Sequence, residues 1–338
     1  NDIHQVKVLL GGSMFKTSGT FESYTGTGFS DESIKNGVSI GDAANVVDQN
    51  AQSKLRGANT FDVRLLSYFG RVQYDYKGKY LFSAMIRRDG STRFGPNNRF
   101  GYFPSASLGW VISDESFLEE VNFIDFMKIR ASHGIMGNDQ IGDYRFLSTL
   151  GGQAKYAFNE LIVEGLAEGA LANPSIKWEE QEATNIGLDI TLLSNHLDVS
   201  IDAFSRKTKN LLLSPQVSGI LGAVAPGSSA PTVNAGTVEN KGLEFLVAYK
   251  GDLSDEMKFR ASVNLTTLNN EVLFVASQNG FEQGGAFGVG QEPPLRMEAG
   301  YPIGFFYGYK TDGIFQTQDE IDAAAVTSVK TSPGDLKF

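Results

Sequence analysis

The sequence predicts an all-β chain: an antiparallel, up-and-down segment of a transmembrane β-barrel, about nine or ten strands of a larger barrel. Three observations carry this. Stretches of 10 to 15 residues alternate apolar and polar, as in 258–267, where Phe259, Ala261, Val263 and Leu265 face away from Lys258, Arg260, Ser262, Asn264 and Thr266. Successive strand side chains point to opposite faces, so such a stretch is a strand with one greasy and one wet side. The gaps between the stretches alternate between short and long, which puts tight turns on one rim and large loops on the other, as in outer-membrane barrels. Finally, Tyr74, Tyr76, Tyr80 and Phe82 bracket the turn Lys77-Gly78-Lys79, where an interfacial aromatic girdle belongs.

The expected strands are 3–15, 61–76, 80–89, 99–112, 125–136, 181–193, 197–209, 238–250 and 257–270, with a tenth near 305–311. The apolar face of 61–76 is Leu66, Tyr68, Gly70, Val72, Tyr74 and Tyr76; that of 80–88 is Tyr80, Phe82, Ala84 and Ile86. In 185–192 it is Ile186, Leu188, Ile190 and Leu192, in 197–206 Leu197, Val199, Ile201 and Ala203, and in 242–250 Leu243, Phe245, Val247 and Tyr249. Connections 77–79, 194–196 and 251–256 are short, and 90–98 and 113–124 are of medium length, the latter with room for a helical turn. Connections 16–60, 137–180, 210–237 and 271–304 are long. Thr317-Gln318-Asp319-Glu320 has capping-box spacing, so a short helix starts there.

Composition removes several classes of function. Cysteine is absent, which excludes disulfides, thiol chemistry and cysteine-ligated zinc. Net charge is −10 and no block of five Lys/Arg occurs, so a nucleic-acid partner has little electrostatic support. No run approaches the 18 or so apolar residues of a membrane helix, a test that barrel strands escape. Asn1-Asp2-Ile3-His4 does not read as a signal peptide.

Little catalytic or metal chemistry is legible, and the chain is not expected to be an enzyme or to hold a cofactor. His4, His133 and His196 have no carboxylate at a telling spacing, and no Gly-x-Ser-x-Gly elbow occurs. The acids around Asp319 read as a helix start, and Glu179-Glu180 as a solvated strand entry; neither matches a calcium loop. The glycine-rich run 284–290 lacks the flanking strand, helix and Lys of a phosphate loop. The arginine-rich stretch 87–95 suits ion pairs between loop and strand, or the grip of a ligand carboxylate.

Residues 67–103 (SYFGRVQYDYKGKYLFSAMIRRDGSTRFGPNNRFGYF) closely resemble the barrel of SusC/RagA-type TonB-dependent outer-membrane transporters. So do 125–138 (DFMKIRASHGIMGN), 173–179 (NPSIKWE), 184–189 (TNIGLD), 233–245 (VNAGTVENKGLEF) and 300–315 (GYPIGFFYGYKTDGIF). These matches run in family order from about residue 61 onward. The resemblance implies a Gram-negative outer-membrane importer of oligosaccharide or peptide. It also implies a SusD-like surface lipoprotein acting as a lid, and energy delivered by the TonB complex through an N-terminal plug. Barrels of this class have 22 strands, so the chain is expected to be a partial barrel spanning 1–338, without plug domain, signal peptide or final strands.

On this reading the apolar strand faces meet outer-membrane lipid. The candidates for the lumen-facing side are Arg71, Asp75, Arg87, Asp189, Asp202, Glu244 and Arg260. Loops 16–60, 137–180 and 210–237 form the outer vestibule, where Tyr144, Tyr156 and Trp178 are candidates to stack on cargo. The alternatives are a TonB-dependent receptor for a metal chelate, a soluble β-sandwich sugar-binding module or glycosidase, and a passive pore.

Overall fold

The computed structural model describes residues 3–27, 52–159, 161–215, 220, 228–254, 256–277, 279–285, 293–324 and 331–337. Its elements in chain order are β1 (His4–Thr27), β2 (Gln52–Tyr76), β3 (Tyr80–Ser91), β4 (Phe100–Val111), β5 (Ile124–Asn138), β6 (Leu150–Phe158) and β7 (Leu161–Glu168). There follow β8 (Glu179–Leu192), β9 (Leu197–Leu213), β10 (Val233–Ser254), β11 (Met257–Val275), β12 (Phe281–Gln283), β13 (Leu295–Glu298), β14 (Phe305–Phe306) and the helix α1 (Gln318–Ala323). Nine strands make one sheet in the order β1-β2-β3-β4-β5-β8-β9-β10-β11. Every neighbouring pair in it is antiparallel. All nine strands expected from the alternation are present.

The two rims differ as the gap pattern requires. The strand ends joined by 77–79, 112–123, 193–196 and 255–256 meet at one rim, and those joined by 28–51, 92–99, 139–178 and 214–232 meet at the other. The short turns are set by local chemistry. Lys77 and Gly78 both have left-handed φ (56° and 70°), the conformation that matches a two-residue turn to the twist of its strands. The Asp75 carboxylate accepts the Gly78 N–H at 2.7 Å. At the β8–β9 turn Leu193, Ser194 and Asn195 are all left-handed, and Asp125 at the start of β5 accepts the Asn195 N–H at 2.9 Å. Residues 112–114 and 116–118 form two single 3-10 turns, the helical turn expected in 113–124.

Three expectations need correction. The strands run further toward the long-loop rim than the alternation suggests: β1 continues to Thr27 and β2 begins at Gln52. There the sequence 16–27 is mostly polar, with Phe21 and Tyr24 three positions apart, so the period-2 signal fades although the backbone ladder continues. The gap between β5 and β8 holds a separate hairpin, β6–β7. The tenth strand near 305–311 shrinks to β14, which joins β12 and β13 in a small sheet outside the nine-stranded one. Gly304, at φ 71°, turns the chain just before it. Within the long connections and the glycine-rich run, residues 28–51, 216–219, 221–227 and 286–290 lie outside the described residues.

Among the described residues, the two clusters of buried apolar side chains lie at the long-loop end. One cluster joins Phe94, Phe103, Ile176 and Trp178, and a second joins Val238, Val272 and Met297. Between the rims one sheet face carries exposed apolar side chains, such as Leu10 at 80% and Val263 at 72% exposure. An apolar surface of this extent is foreign to a soluble monomer.

Candidate functional site

The register sorts the side chains into two faces. Tyr68, Gly70, Val72 and Tyr74 on β2 lie beside Arg88, Ile86, Ala84 and Phe82 on β3. The same side continues through Ala106 and Leu108 on β4 and Ala131 and Ile129 on β5. It reaches Ile186 and Leu188 on β8, Ala203 and Ile201 on β9, and Leu243 and Phe245 on β10. Near the short-turn rim this apolar face carries a belt of rings. His4, Tyr76, Tyr80 and Trp110 follow one another at centroid separations of 4.9, 6.1 and 6.4 Å. Beside them, Glu115 in the 112–123 connection accepts from Tyr80 Oη at 2.6 Å and Trp110 Nε1 at 3.1 Å. These hydrogen bonds, Tyr80's first, hold its carboxyl below the ordinary glutamate range.

All seven charged candidates fall on the opposite, polar face. Arg71 and Asp75 alternate with the apolar residues of β2, and Arg87 with those of β3. Asp189, Asp202, Glu244 and Arg260 do the same on β8, β9, β10 and β11.

The densest polar constellation on that face centres on Arg130, a residue the sequence reading did not single out. Arg130, Gly187 and Asp202 sit side by side on β5, β8 and β9. The Arg130 guanidinium donates to Asp189 through Nε (2.9 Å) and Nη2 (3.2 Å), and through Nη2 to Asp202 (2.6 Å). Asn185 accepts from Nη1 at 3.3 Å, and Ser200 donates to Asp189 at 2.7 Å. One planar fork thus binds two carboxylates on two strands. Gly187 makes the reach possible, because a Cβ there would lie 2.5 Å from Arg130 Cζ and 2.7 Å from Asp202 Oδ1. The signal was present in the sequence as three polar-face residues of opposite charge, but their adjacency depends on strand register, which a single strand does not show.

The remaining candidates are not brought into that constellation. Arg87 donates from Nε to both oxygens of Asp89 at 2.7 Å and from Nη2 to Ser67 at 3.0 Å. Asp75 is engaged in its own turn. Arg71 keeps a buried Nε without a hydrogen-bond partner among the described residues. Glu244 lies next to Asp202 in the ladder, and Arg260 next to Lys250. Gln5, Lys7, Gln73, Ser107, Lys128 and Arg130 line a polar concavity on this face.

The three loop aromatics have different settings. Tyr156, on β6, is 72% exposed, and Tyr144 is exposed with φ 58°, its ring 6.3 Å from that of Phe146. Trp178 is only 5% exposed. It stacks on Phe94 at 5.0 Å, meets Phe103 edge-on at 5.3 Å and donates Nε1–H to the Arg99 carbonyl at 3.2 Å. Its place is in the packing that ties loop 92–99 to the entry of β8, not at a surface open to a ligand. Arg93, which donates to Asp143 at 3.1 Å and to the Asp139 carbonyl at 3.2 Å, fastens the same loop to the next one. Arg87 and Arg93 are thus in ion pairs, but within β3 and between two loops, not between loop and strand as the sequence suggested.

An up-and-down antiparallel sheet with an apolar, ring-belted face, a charged face and one rim of tight turns defines the class of transmembrane β-barrels. Within that class the chain matches the family described as TonB dependent receptor-like, beta-barrel, over residues 6–332, and it belongs to that family. It is 38% identical over 272 residues to a TonB-dependent receptor of Formosa agariphila, covering 80% of this chain and 24% of that protein. It is 34% identical over 270 residues to the TonB-dependent receptor SusC of Bacteroides thetaiotaomicron, covering 76% of this chain and 26% of that protein. The chain thus spans about a quarter of the length of these relatives. The solved RagAB peptide transporter shares the fold, with a TM-score of 0.74 at 22% identity over 94% of this chain and 32% of that one.

Proposed function

We propose that this chain forms part of the wall of an outer-membrane, TonB-dependent importer of the SusC/RagA type, a transporter and not an enzyme. The observation that supports this most directly is the two-faced register: one side apolar with an aromatic belt, the other carrying every charged candidate. The apolar side meets lipid. Arg71, Asp75, Arg87, Asp189, Asp202, Glu244 and Arg260 face the lumen, with the Arg130 clamp stiffening that wall. The 139–178 connection presents Tyr144 and Tyr156 at the outer vestibule, where aromatic faces suit stacking on sugar rings or peptide side chains.

The cargo is a bulky nutrient, an oligosaccharide or a peptide, in keeping with relatives named SusC and, for fold, a peptide transporter. A SusD-like surface lipoprotein covers the barrel, and the TonB complex drives transport through a part of the receptor outside this chain. The test is deletion of the receptor gene in its host, followed by growth on defined oligosaccharides and on defined peptides as sole nutrient. Loss of growth on one cargo class, restored by the intact gene and not by one lacking TonB coupling, is the expected result. Unchanged growth and uptake on every cargo, or recovery of the protein outside the outer-membrane fraction, overturns the reading.

A further inference from the structure

The loop end of the apolar face treats its cations in two ways. On β8 to β10 each has a carboxylate partner: Lys209 pairs with Glu182, and Lys207 and Lys241 pair with Glu239 at 3.6 and 3.5 Å. On β3 Arg88 has no carboxylate partner among the described residues. Its guanidinium lies 3.8 Å from the centre of the Phe100 ring and 5.7 Å from that of Tyr102, and its buried Nε has no hydrogen-bond partner among the described residues. The neighbouring acid, Asp89, is on the other face and held by Arg87. Below Arg88 runs an apolar groove lined by Leu10, Tyr68, Gly70, Ile86 and Tyr102, where Gly70 adds no side chain and Leu10 Cδ2 lies 3.2 Å from where its Cβ would be.

The height of Arg88 tells what can neutralise it. It lies eight positions along β3 from Tyr80 in the aromatic belt. At about 3.3 Å per residue and a tilt of about 40°, that is roughly 20 Å above the belt, near the top of an apolar band about 25 Å tall. A cation there is at the boundary of acyl chains and headgroups, where an anionic headgroup is the available counterion. Further up the same face, Lys16 and Arg64 share the single carboxylate Asp62, at 3.2 and 2.8 Å. Among the described side chains, the three cations around this groove exceed its one acid by two.

We infer that the β1–β4 face binds one anionic phospholipid, its phosphate on Arg88 with Arg64 and Lys16 above, and an acyl chain lying over Gly70. This rests on the proposed membrane setting of the sheet. The pattern is one of charge complementarity: a groove that accepts a hydrocarbon chain ends at an unpaired, aromatic-backed guanidinium.

The test is native mass spectrometry of the full-length receptor, purified in mild detergent and offered phosphatidylglycerol, phosphatidylcholine or inorganic phosphate. Phosphatidylglycerol is expected to be retained in preference to the other two. Arg88→Gln is expected to lower its occupancy about fivefold, the effect of one cation at a lipid surface, while Arg88→Lys retains most of it. Gly70→Leu, which keeps every charge but fills the groove, is expected to lower it as well. Equal retention by Arg88→Gln in a receptor still found in the outer membrane overturns this inference alone, as does inorganic phosphate binding as well as the lipid. A receptor absent from the membrane overturns both this inference and the proposed function.

Discussion

Gly187 shows how one residue without a side chain organises three strands. It lies in the ladder between Arg130 and Asp202, and only its bare Cα leaves room for the guanidinium to reach the carboxylate. Both partners are partly shielded, with Asp202 the more enclosed, so the pair is worth more than an open surface salt bridge but less than a buried one. Gly187→Ala forces the guanidinium aside. It is expected to destabilise the barrel by about 1–3 kcal/mol, the usual range for an overpacked site. Urea unfolding of the full-length receptor in detergent, alongside the wild type, measures this. An unchanged midpoint would show that Arg130 does not need the space. Asp189 and Asp202 were legible from the sequence as polar-face residues, but the arginine joining them was not, because its role comes from register across three strands.

At the scale of elements, periodicity located all nine strands of the large sheet, because each has a face that must be apolar and a face that must not be. It failed where that demand lapses. The loop-side ends of β1 and β2 are mostly polar in sequence and do not alternate, and the β6–β7 hairpin carries Leu161-Ile162-Val163 as a run without alternation. The helix α1 was legible through its cap: Thr317 Oγ1 accepts the Glu320 N–H at 3.3 Å. The return half of that box differs, since the Glu320 carboxylate accepts from Gln316 N at 3.0 Å, one residue before the cap. The turn-side belt makes a further prediction. Glu115 binds Tyr80 of β3 and Trp110 of β4 from outside the strands, and these bonds depress its pKa below 4.5. A depressed carboxyl pKa means that the contribution is complete above the unfolded value and is lost as pH falls through the folded one. The Trp110 emission, isolated as the difference between the receptor and its Trp110→Phe variant, is therefore expected to shift on acidification with a midpoint below 4.5. A midpoint at or above that value would mean that the Glu115 contacts do not favour the charged form.

At the scale of the whole molecule, the two faces of the sheet make opposite demands on the same substitution, and that separates a membrane wall from a water-soluble sandwich. Ile186 is 57% exposed on the apolar face of the inner strand β8, beside Ala131 and Ala203. In water an arginine at so exposed a position would be nearly neutral, since its long side chain reaches solvent at once. In a bilayer the site lies six residues above the end of β8 at Leu192. With about 3.3 Å per residue and a tilt of about 40°, that is roughly 15 Å up a 25 Å band, where an arginine costs about 2–4 kcal/mol. Ser262 on the polar face of β11 should accept the same change at little cost, because its side of the sheet is already wet. Ile186→Arg is thus expected to lower the amount of folded receptor in the outer membrane and its unfolding midpoint, and Ser262→Arg to leave both near wild type. If instead both variants fold and insert alike, the apolar face does not meet lipid. A sandwich that covered the rows from Val6 to Val263 gives a third outcome: a charge at Ile186 breaks sheet-on-sheet packing, so that variant fails to fold even in solution without a membrane.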